Sequence, residues 1–432
     1  MTTSLQGIAS KARRNKKHRF RNLYGMLTER FILESWTELN RTAAPGHDRV
    51  SARDYARNLG GNVKNLLERL KEKRYRAPLV RRVYIPKAKG KQRPLGIPTV
   101  EDKLLQKAVA RILEAIYETE FYEGSFGYRR GRSPLDAVQD VTINLQRRKF
   151  AYVVEADIKS FFDNIDHEWL IRMLEQRIDD RAFIGLIRKW LKAGILLPEN
   201  RVMHPATGTP QGGIVSPILA NIYLHYALDL WFEKRIKPHC EGEAYLCRYA
   251  DDFIGAFRYG RDADRFHAAL EDRLGKFGLQ LSSEKTRILK FTRFRKESAA
   301  RFDFLGFEFS WGVDRKGCDV IRRRTSRQRL RGSLRNFREW CREVRNRRMR
   351  KIFCMLNAKL RGYYNYYGVI GNYDSLREFF THAMRMLYKW LNRRSQRKSF
   401  NYKVFNEIAR YYEVERPRIV HQAVCQMQFD WS

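Results

Sequence analysis

Nowhere in the 432 residues does an uninterrupted apolar run approach the roughly 20 that a membrane helix requires, and no apolar segment follows the N-terminus. A soluble, non-secreted, cytoplasmic protein without a membrane partner is expected. Cysteine is scarce as well. Cys240, Cys247, Cys318, Cys341, Cys354 and Cys425 form no C-x-x-C pair and have no His cluster at metal spacing, which argues against a zinc module and for reduced thiols. Acidic residues are also few: none precedes Glu29, and Asp plus Glu total 48 against 86 Lys plus Arg, a net charge of +38. The excess is spread along the whole length, so the expected partner is a polyanion, nucleic acid ahead of an acidic membrane surface. With 43% hydrophobic and 13% aromatic residues the chain is no disordered basic tail and has material for two or three domains. The basic stretch "ASKARRNKKHRF" reads as a disordered RNA-binding arm in preference to an organellar transit peptide.

Against this shortage of acid, "YLCRYADDFIGAF" at residues 245–257 sets Asp251 and Asp252 side by side between mostly apolar runs. A chance pair is common, so the surroundings must decide its meaning. Residues 1–79 are polar and helical in pattern, and "NVKNLLERLKEKRYRAP" predicts an amphipathic helix ending before Pro78. "VRRVYIPKAKGKQRPLGIP" predicts a hairpin with a cationic tip at Gly90. In "EDKLLQKAVARILEAIYE", Leu104, Leu105, Ala108, Val109, Ile112, Leu113 and Ile116 recur at helical spacing and predict one inward face. Ser133, Pro134 and Asp136 form a capping box, and Ser216 with Pro217 predict the same device again. "AYVVEADI", "EAYLCRYA" and "FDFLGFEF" read as short strands, so the chain to about residue 312 is expected to be α+β or α/β. Beyond Gly317 an all-helical domain is expected, with Arg or Lys at nearly every second position from Arg322 to Lys351 and then Leu356, Leu360, Tyr363, Tyr364 and Tyr367 on one helix face. Only Glu339 and Glu343 interrupt the Arg run, which therefore predicts a phosphate-contacting surface more than a solvated face of mixed sign.

Asp157 closes the strand in "VVEADIKSFFDNIDH", ahead of Phe161 and Phe162. Two strands that each deliver carboxylates at one end make an oxygen-rich site suited to Mg²⁺, with Mn²⁺ as the alternative. Two such ions about 4 Å apart serve in-line nucleotidyl transfer, and cations between the carboxylates would let like charges stand together.

"DIKSFFDNIDH", "GTPQGGIVSPILANIYLHY", "RYADD", "GLQLSSEKTRIL" and "FDFLGFEF" follow the order and approximate spacing of the palm motifs of reverse transcriptases. With "YIPKAKGKQRPLGIPTVEDKLLQKAV" and "EGSFGYRRGRSPLDAV", the chain resembles the bacterial group II intron reverse transcriptase and maturase family over roughly residues 40–420. The resemblance implies a right-hand polymerase: a basic helical N-terminal region (1–79), fingers and a palm with an RRM-like antiparallel sheet (80–315), an all-helical thumb or X domain (320–415) and a short tail (416–432). It implies metal binding and catalysis by Asp157, Asp251 and Asp252, assisted by the backbone carbonyl of Ile158. Lys87 and Arg93 resemble the residues that grip the incoming triphosphate, Gln211 the one packed under the nucleotide, and Lys285 the lysine near the pyrophosphate, with a salt-bridged surface lysine as its alternative reading. Phe162 stands where an aromatic ring would collide with a 2′-hydroxyl and select dNTPs over NTPs, while Phe161 reads as core. In the thumb, Arg322, Arg323, Arg324, Arg327, Arg331, Arg335, Arg393 and Arg394 are the implied nucleic-acid contacts. Most tyrosines of "LNAKLRGYYNYYG" have the spacing of core residues.

Two positions depart from the family pattern: Arg49 replaces the second glycine of a Gly-x-Asp-Gly-Val loop, predicting another backbone shape there, and Arg130 stands where proline is frequent. The end at Ser432 leaves little room for a DNA-binding domain and none for a His-Asn-His endonuclease. The expected partners are an RNA template and primer, dNTPs, group II intron RNA and a DNA target. Three functions follow: an RNA-directed DNA polymerase that also assists intron splicing, a free-standing relative used in repair or phage defence, and a non-catalytic RNA-binding splicing factor. The intact Asp157, Asp251 and Asp252 weigh against the third.

Overall fold

The computed structural model describes residues 4–86, 92–199, 201–209, 212–294, 300–314, 316–394 and 399–421. In chain order, α1 (Leu5–Arg14), α2 (Glu29–Thr37), α3 (Ala52–Ala56) and α4 (Leu59–Lys71) lead to the antiparallel pair β1 (Val80–Pro86) and β2 (Gln92–Ile97). Next come α5 (Val100–Tyr117), α6 (Pro134–Arg147), β3 (Tyr152–Asp157), α7 (His167–Glu175), α8 (Arg181–Leu191), β4 (Ile195–Leu196), β5 (Val202–Met203) and α9 (Ser216–Leu224). They are followed by β6 (Ala244–Tyr249), β7 (Asp252–Phe257), α10 (Gly260–Gly275), β8 (Arg287–Lys290), β9 (Phe302–Phe304), β10 (Phe307–Val313) and β11 (Asp319–Thr325). Among the described residues four helices follow: α11 (Arg327–Val344), α12 (Met349–Tyr367), α13 (Tyr373–Leu391) and α14 (Tyr402–Tyr411). The strands form sheets of order β2-β1-β4-β5, β6-β7-β3-β8 and β11-β10-β9, so the protein is mixed α/β. Two compact units are built from it, Met1–Ala137 with Val154–Ile288 and Val138–Val153 with Leu289–Ser432.

In the first unit α5 departs from its expected single inward face. Besides the apolar positions, Asp102, Lys103 and Gln106 are buried, because α1, α2, α3 and α9 all pack against this helix; α1, which holds part of the expected disordered arm, is an ordered helix that buries Ile8 and Ala12. Buried polar groups need partners, and these have them. Asp102 accepts from the Tyr75 hydroxyl, Lys103 donates to the Ala44 carbonyl, and the Gln106 side-chain oxygen accepts the Ile214 N–H at 2.9 Å. Gln106 thereby steadies the loop entering α9. Gly212 in that loop has φ +118° and lies so close to β2 that a Cβ would stand 2.6 Å from the Gly96 carbonyl oxygen, so only glycine fits.

The capping box at α6 forms as expected, with Asp136 N–H on Ser133 Oγ at 3.2 Å and Ser133 N–H on the Asp136 carboxylate at 2.6 Å. It does not recur at α9. There Ser216 lies inside the helix, and its hydroxyl bonds to Thr209 Oγ1 at 2.7 Å. Arg49 takes φ +57°, the left-handed backbone that glycine favours, so the arginine has not removed that conformation.

The second unit corrects the expectation of an all-helical region after Gly317. Arg322, Arg323 and Arg324 lie on β11, which pairs with β10 over its whole length and buries Ile321 and Thr325. The helices follow, α11 capped by Ser326 and packed on α13. In α12, Leu356, Leu360 and Tyr364 are buried, and Tyr363 stacks on Phe379 with centroids 3.8 Å apart. These tyrosines are core residues, as their spacing predicts.

Candidate active site

β6 and β7 run antiparallel with Tyr249 opposite Asp252, leaving Ala250 and Asp251 as a two-residue turn. Ala250 carries φ +56°, which costs a non-glycine residue about 1–2 kcal/mol. What holds it there is Arg248, wholly buried at the end of β6. Its Nη1 donates to the Ala250 carbonyl at 3.0 Å and to Asn221 Oδ1 at 3.1 Å, while Nε and Nη2 grip both oxygens of the equally buried Asp229 at 2.9 and 2.7 Å. Sequence reasoning missed Arg248, Asp229 and Asn221. The available signal was an acid inside the apolar run "YALDLW" and an arginine at the end of an otherwise apolar strand.

Asp157 ends β3, its carbonyl accepting the Ser282 N–H at 2.8 Å while Lys159 N–H donates to Gln280 at 2.8 Å, so the backbone around Ile158 is clamped to residues 280–282. This brings Lys285 to the carboxylate: its Nζ lies 2.6 Å from Asp157 Oδ2. The two readings of Lys285 thus meet, since it is an exposed, salt-bridged lysine whose partner is a carboxylate of the site. Phe161 is buried against Phe162 and Tyr223, a core residue as expected, and Phe162 keeps 8% of its surface exposed.

The carboxylates feel one another. Burial first, then the charges of Asp157 and Asp251, push Asp252 up to about 7. Burial is also the main cause that raises Asp251, joined by the charge of Asp157 and opposed by Arg93 and Lys285. Arg93 on β2 therefore acts electrostatically on Asp251. Lys87 and Gln211 lie outside the described residues. Among the described residues no three His, Cys, Asp or Glu side chains are gathered closely enough to hold a metal by themselves, and one oxygen of Asp157 is engaged by Lys285. The donor chemistry nevertheless fits a hard divalent cation, because oxygen ligands are present and the mutual repulsion of the three carboxylates is what such an ion would remove.

In the second unit, Arg327, Arg331 and Arg335 follow one another at four-residue steps on the exposed face of α11. Arg322 and Arg324 are exposed on β11. Arg323 is half-buried and donates to the Ile370 carbonyl at 3.3 Å. Past α13, Arg393 lies over the Trp390 ring, and Arg394 donates to the Arg347 carbonyl at 2.9 Å.

Residues 85–309 match the family model for reverse transcriptase (RNA-dependent DNA polymerase), and residues 330–411 match that for the group II intron, maturase-specific domain. The group II intron-encoded protein LtrA of Lactococcus lactis subsp. cremoris is 32% identical over 73% of this chain, which spans 65% of that protein's length. Protein YkfC of Escherichia coli is 32% identical over 56% of the chain and 72% of its own length. The putative COX1/OXI3 intron 1 protein of Saccharomyces cerevisiae is 28% identical over 69% of the chain and 44% of its own.

Proposed function

Because the chain belongs to the group II intron reverse transcriptase and maturase family, we propose that it extends a primer 3′-end with dNTPs on an RNA template and also binds group II intron RNA to assist its splicing and mobility. One observation carries the polymerase reading: β3 and β7, neighbours in one sheet though far apart in sequence, bring Asp157, Asp251 and Asp252 within electrostatic reach of each other and of Arg93. In this reading β1, β2 and their neighbours are fingers, the β6-β7-β3-β8 sheet is the palm, and α11–α14 are the thumb.

Two Mg²⁺ ions held by the three aspartates and the Ile158 carbonyl would supply activation of the 3′-hydroxyl and charge neutralisation on the leaving pyrophosphate. The chain's own residues do the rest. The reaction forms a bond from the primer 3′-oxygen to the α-phosphorus and breaks the bond to the β-phosphate bridge. Arg93 and Lys87 neutralise the triphosphate, Arg in a bidentate grip. Lys285, released from Asp157 as the triphosphate arrives, donates a proton to the departing pyrophosphate. Gln211 packs under the nucleotide, and the Phe162 ring excludes a 2′-hydroxyl.

The maturase reading rests on the match over residues 330–411 and on the exposed arginines of β11 and α11. The test is primer extension on an RNA template with Mg²⁺ and either dNTPs or NTPs, comparing wild type with Asp251→Ala and Asp252→Ala. DNA synthesis by wild type alone is expected. RNA binding retained by all three proteins without synthesis by any would leave only the splicing cofactor.

A further inference from the structure

The segment "GSFGY", residues 124–128, is laid along the end of β6. Arg248 N–H donates to the Gly124 carbonyl and Phe126 N–H to the Arg248 carbonyl, each at 2.8 Å, and Ser125 forms an isolated parallel bridge with Arg248. Asn221, which already holds Arg248, donates its Nδ2 to the Gly127 carbonyl at 2.7 Å. The approach is so close that a Cβ on Gly127 would stand 2.3 Å from the Ala250 nitrogen. The backbone that shapes the Ala250–Asp251 turn therefore also fixes the next residue, Tyr128.

Tyr128 is anomalous on two counts. Its φ is +58°, a conformation that costs a bulky residue free energy which glycine or asparagine would largely avoid. It is also 45% exposed, so burial of the ring does not explain why a tyrosine occupies the position. A strained, partly exposed aromatic residue beside reactive groups is a reason to look for a role. Its ring stands edge-to-face on Phe162, centroids 6.2 Å apart at 79°. Its hydroxyl is shifted upward first by burial and then by the charge of Asp251, with Arg93 opposing, so the side chain lies among the groups of the site.

The geometry points to Tyr128 as a specificity-determining residue that braces Phe162 and forms with it the two-ring corner receiving the deoxyribose of the incoming nucleotide. This rests on the polymerase reading above and adds a residue to it. A single phenylalanine held only from behind can tilt away from a 2′-hydroxyl; the Tyr128 ring blocks that tilt from the exposed side. Its strained backbone is sustained by the Gly124–Phe126 bonds to β6, so the brace moves with the carboxylate turn.

The test measures single-nucleotide incorporation with dTTP and UTP on an RNA template by wild type, Tyr128→Phe, Tyr128→Gly, Phe162→Ala and the Tyr128→Gly/Phe162→Ala double variant. Glycine suits φ +58°, so Tyr128→Gly deletes the ring while keeping the backbone, and its melting temperature reports the fold. We expect this variant to melt like wild type yet raise KM for dTTP more than it lowers kcat, and to lose selectivity against UTP by roughly threefold to tenfold, the size of one aromatic pair. Tyr128→Phe should keep both. The double variant should be no less selective than Phe162→Ala, because both changes open the same corner. Wild-type KM and selectivity in a folded Tyr128→Gly protein would overturn this inference alone. A wild type that incorporates neither nucleotide overturns the polymerase reading and this one with it.

Discussion

The arginine behind the carboxylate turn and the arginines along α11 are the same side chain put to opposite uses. Arg248 has no exposed surface and is held by protein groups, with Asp229 gripped through two bonds. Arg327, Arg331 and Arg335 lie on the surface in a stretch rich in further arginine. A buried charge must be matched group by group, because each unmatched one retains its full desolvation cost. Exposed cations need no such match; they act together on a polyanion by displacing its counterions. One substitution should therefore be severe in the first region and nearly silent in the second, where only the sum matters.

The largest effect expected from testing that contrast is at the buried pair. Arg248→Ala strands the Asp229 charge and should lower unfolding free energy by about 3–5 kcal/mol in urea denaturation. Pairing it with Asp229→Leu should recover much of the loss in stability, although not the held Ala250 carbonyl, so incorporation should stay impaired. A double variant as unstable as the single one would show that Arg248 acts through its other partners.

The next effect is pH-dependent. His225, packed against Phe121 and Tyr226, is pushed down to about 4, chiefly by burial, from the ordinary 6.5. Between those values the unfolded chain binds the proton and the folded chain does not. Its contribution is thus intact above pH 6.5 and lost as pH falls toward 4, by up to about 3 kcal/mol. The melting temperature should drop across that window in wild type and drop less in His225→Phe. Equal slopes would mean that the imidazole is not kept neutral.

On the exposed side, changing Arg327, Arg331 and Arg335 together to Gln should leave the unfolding free energy within about 0.5 kcal/mol per site. The salt dependence of RNA binding should fall by about 2 in log–log slope, at roughly 0.7 for each phosphate no longer neutralised. An unchanged slope would remove this face from the binding surface. The smallest effect belongs to Lys285→Met. The lysine side chain is 63% exposed, so breaking its pair with Asp157 should cost less than about 1 kcal/mol of stability while slowing incorporation, which separates a chemical role from a structural one.

Much of the site could be read before the fold because the residues that carry it sit in short local motifs. Asp157 with Phe162 five residues on, and the Ala250–Asp251 turn with Asp252 after it, each occupy a few neighbouring residues whose strand and turn signals are local. Helix α12 was equally legible, its tyrosines inward at helical spacing. The region from Arg322 to Arg324 was not. Strand β11 buries only Ile321 and Thr325, too sparse an apolar signal to stand out among arginines, and its identity comes from its partner β10. Helix α5 showed one apolar face, yet four helices pack around it, and its buried Asp102 and Gln106 resemble surface residues until their partners are known.

The sequence by itself determined the candidate residues: carboxylates at strand ends, cations in the hairpin and at Lys285, and an aromatic ring five residues after the first aspartate. Only the tertiary structure decided what stands behind and against them. Lys285 reaches Asp157 across 128 residues, Arg248 meets Asp229 across 19, and Tyr128 meets Phe162 because the Gly124–Phe126 backbone is bonded to β6. Side-chain type and short-range spacing are properties of neighbouring residues, whereas the pairing of a buried charge or the bracing of a ring depends on which distant segments share a face. That is set by packing the whole apolar core at once.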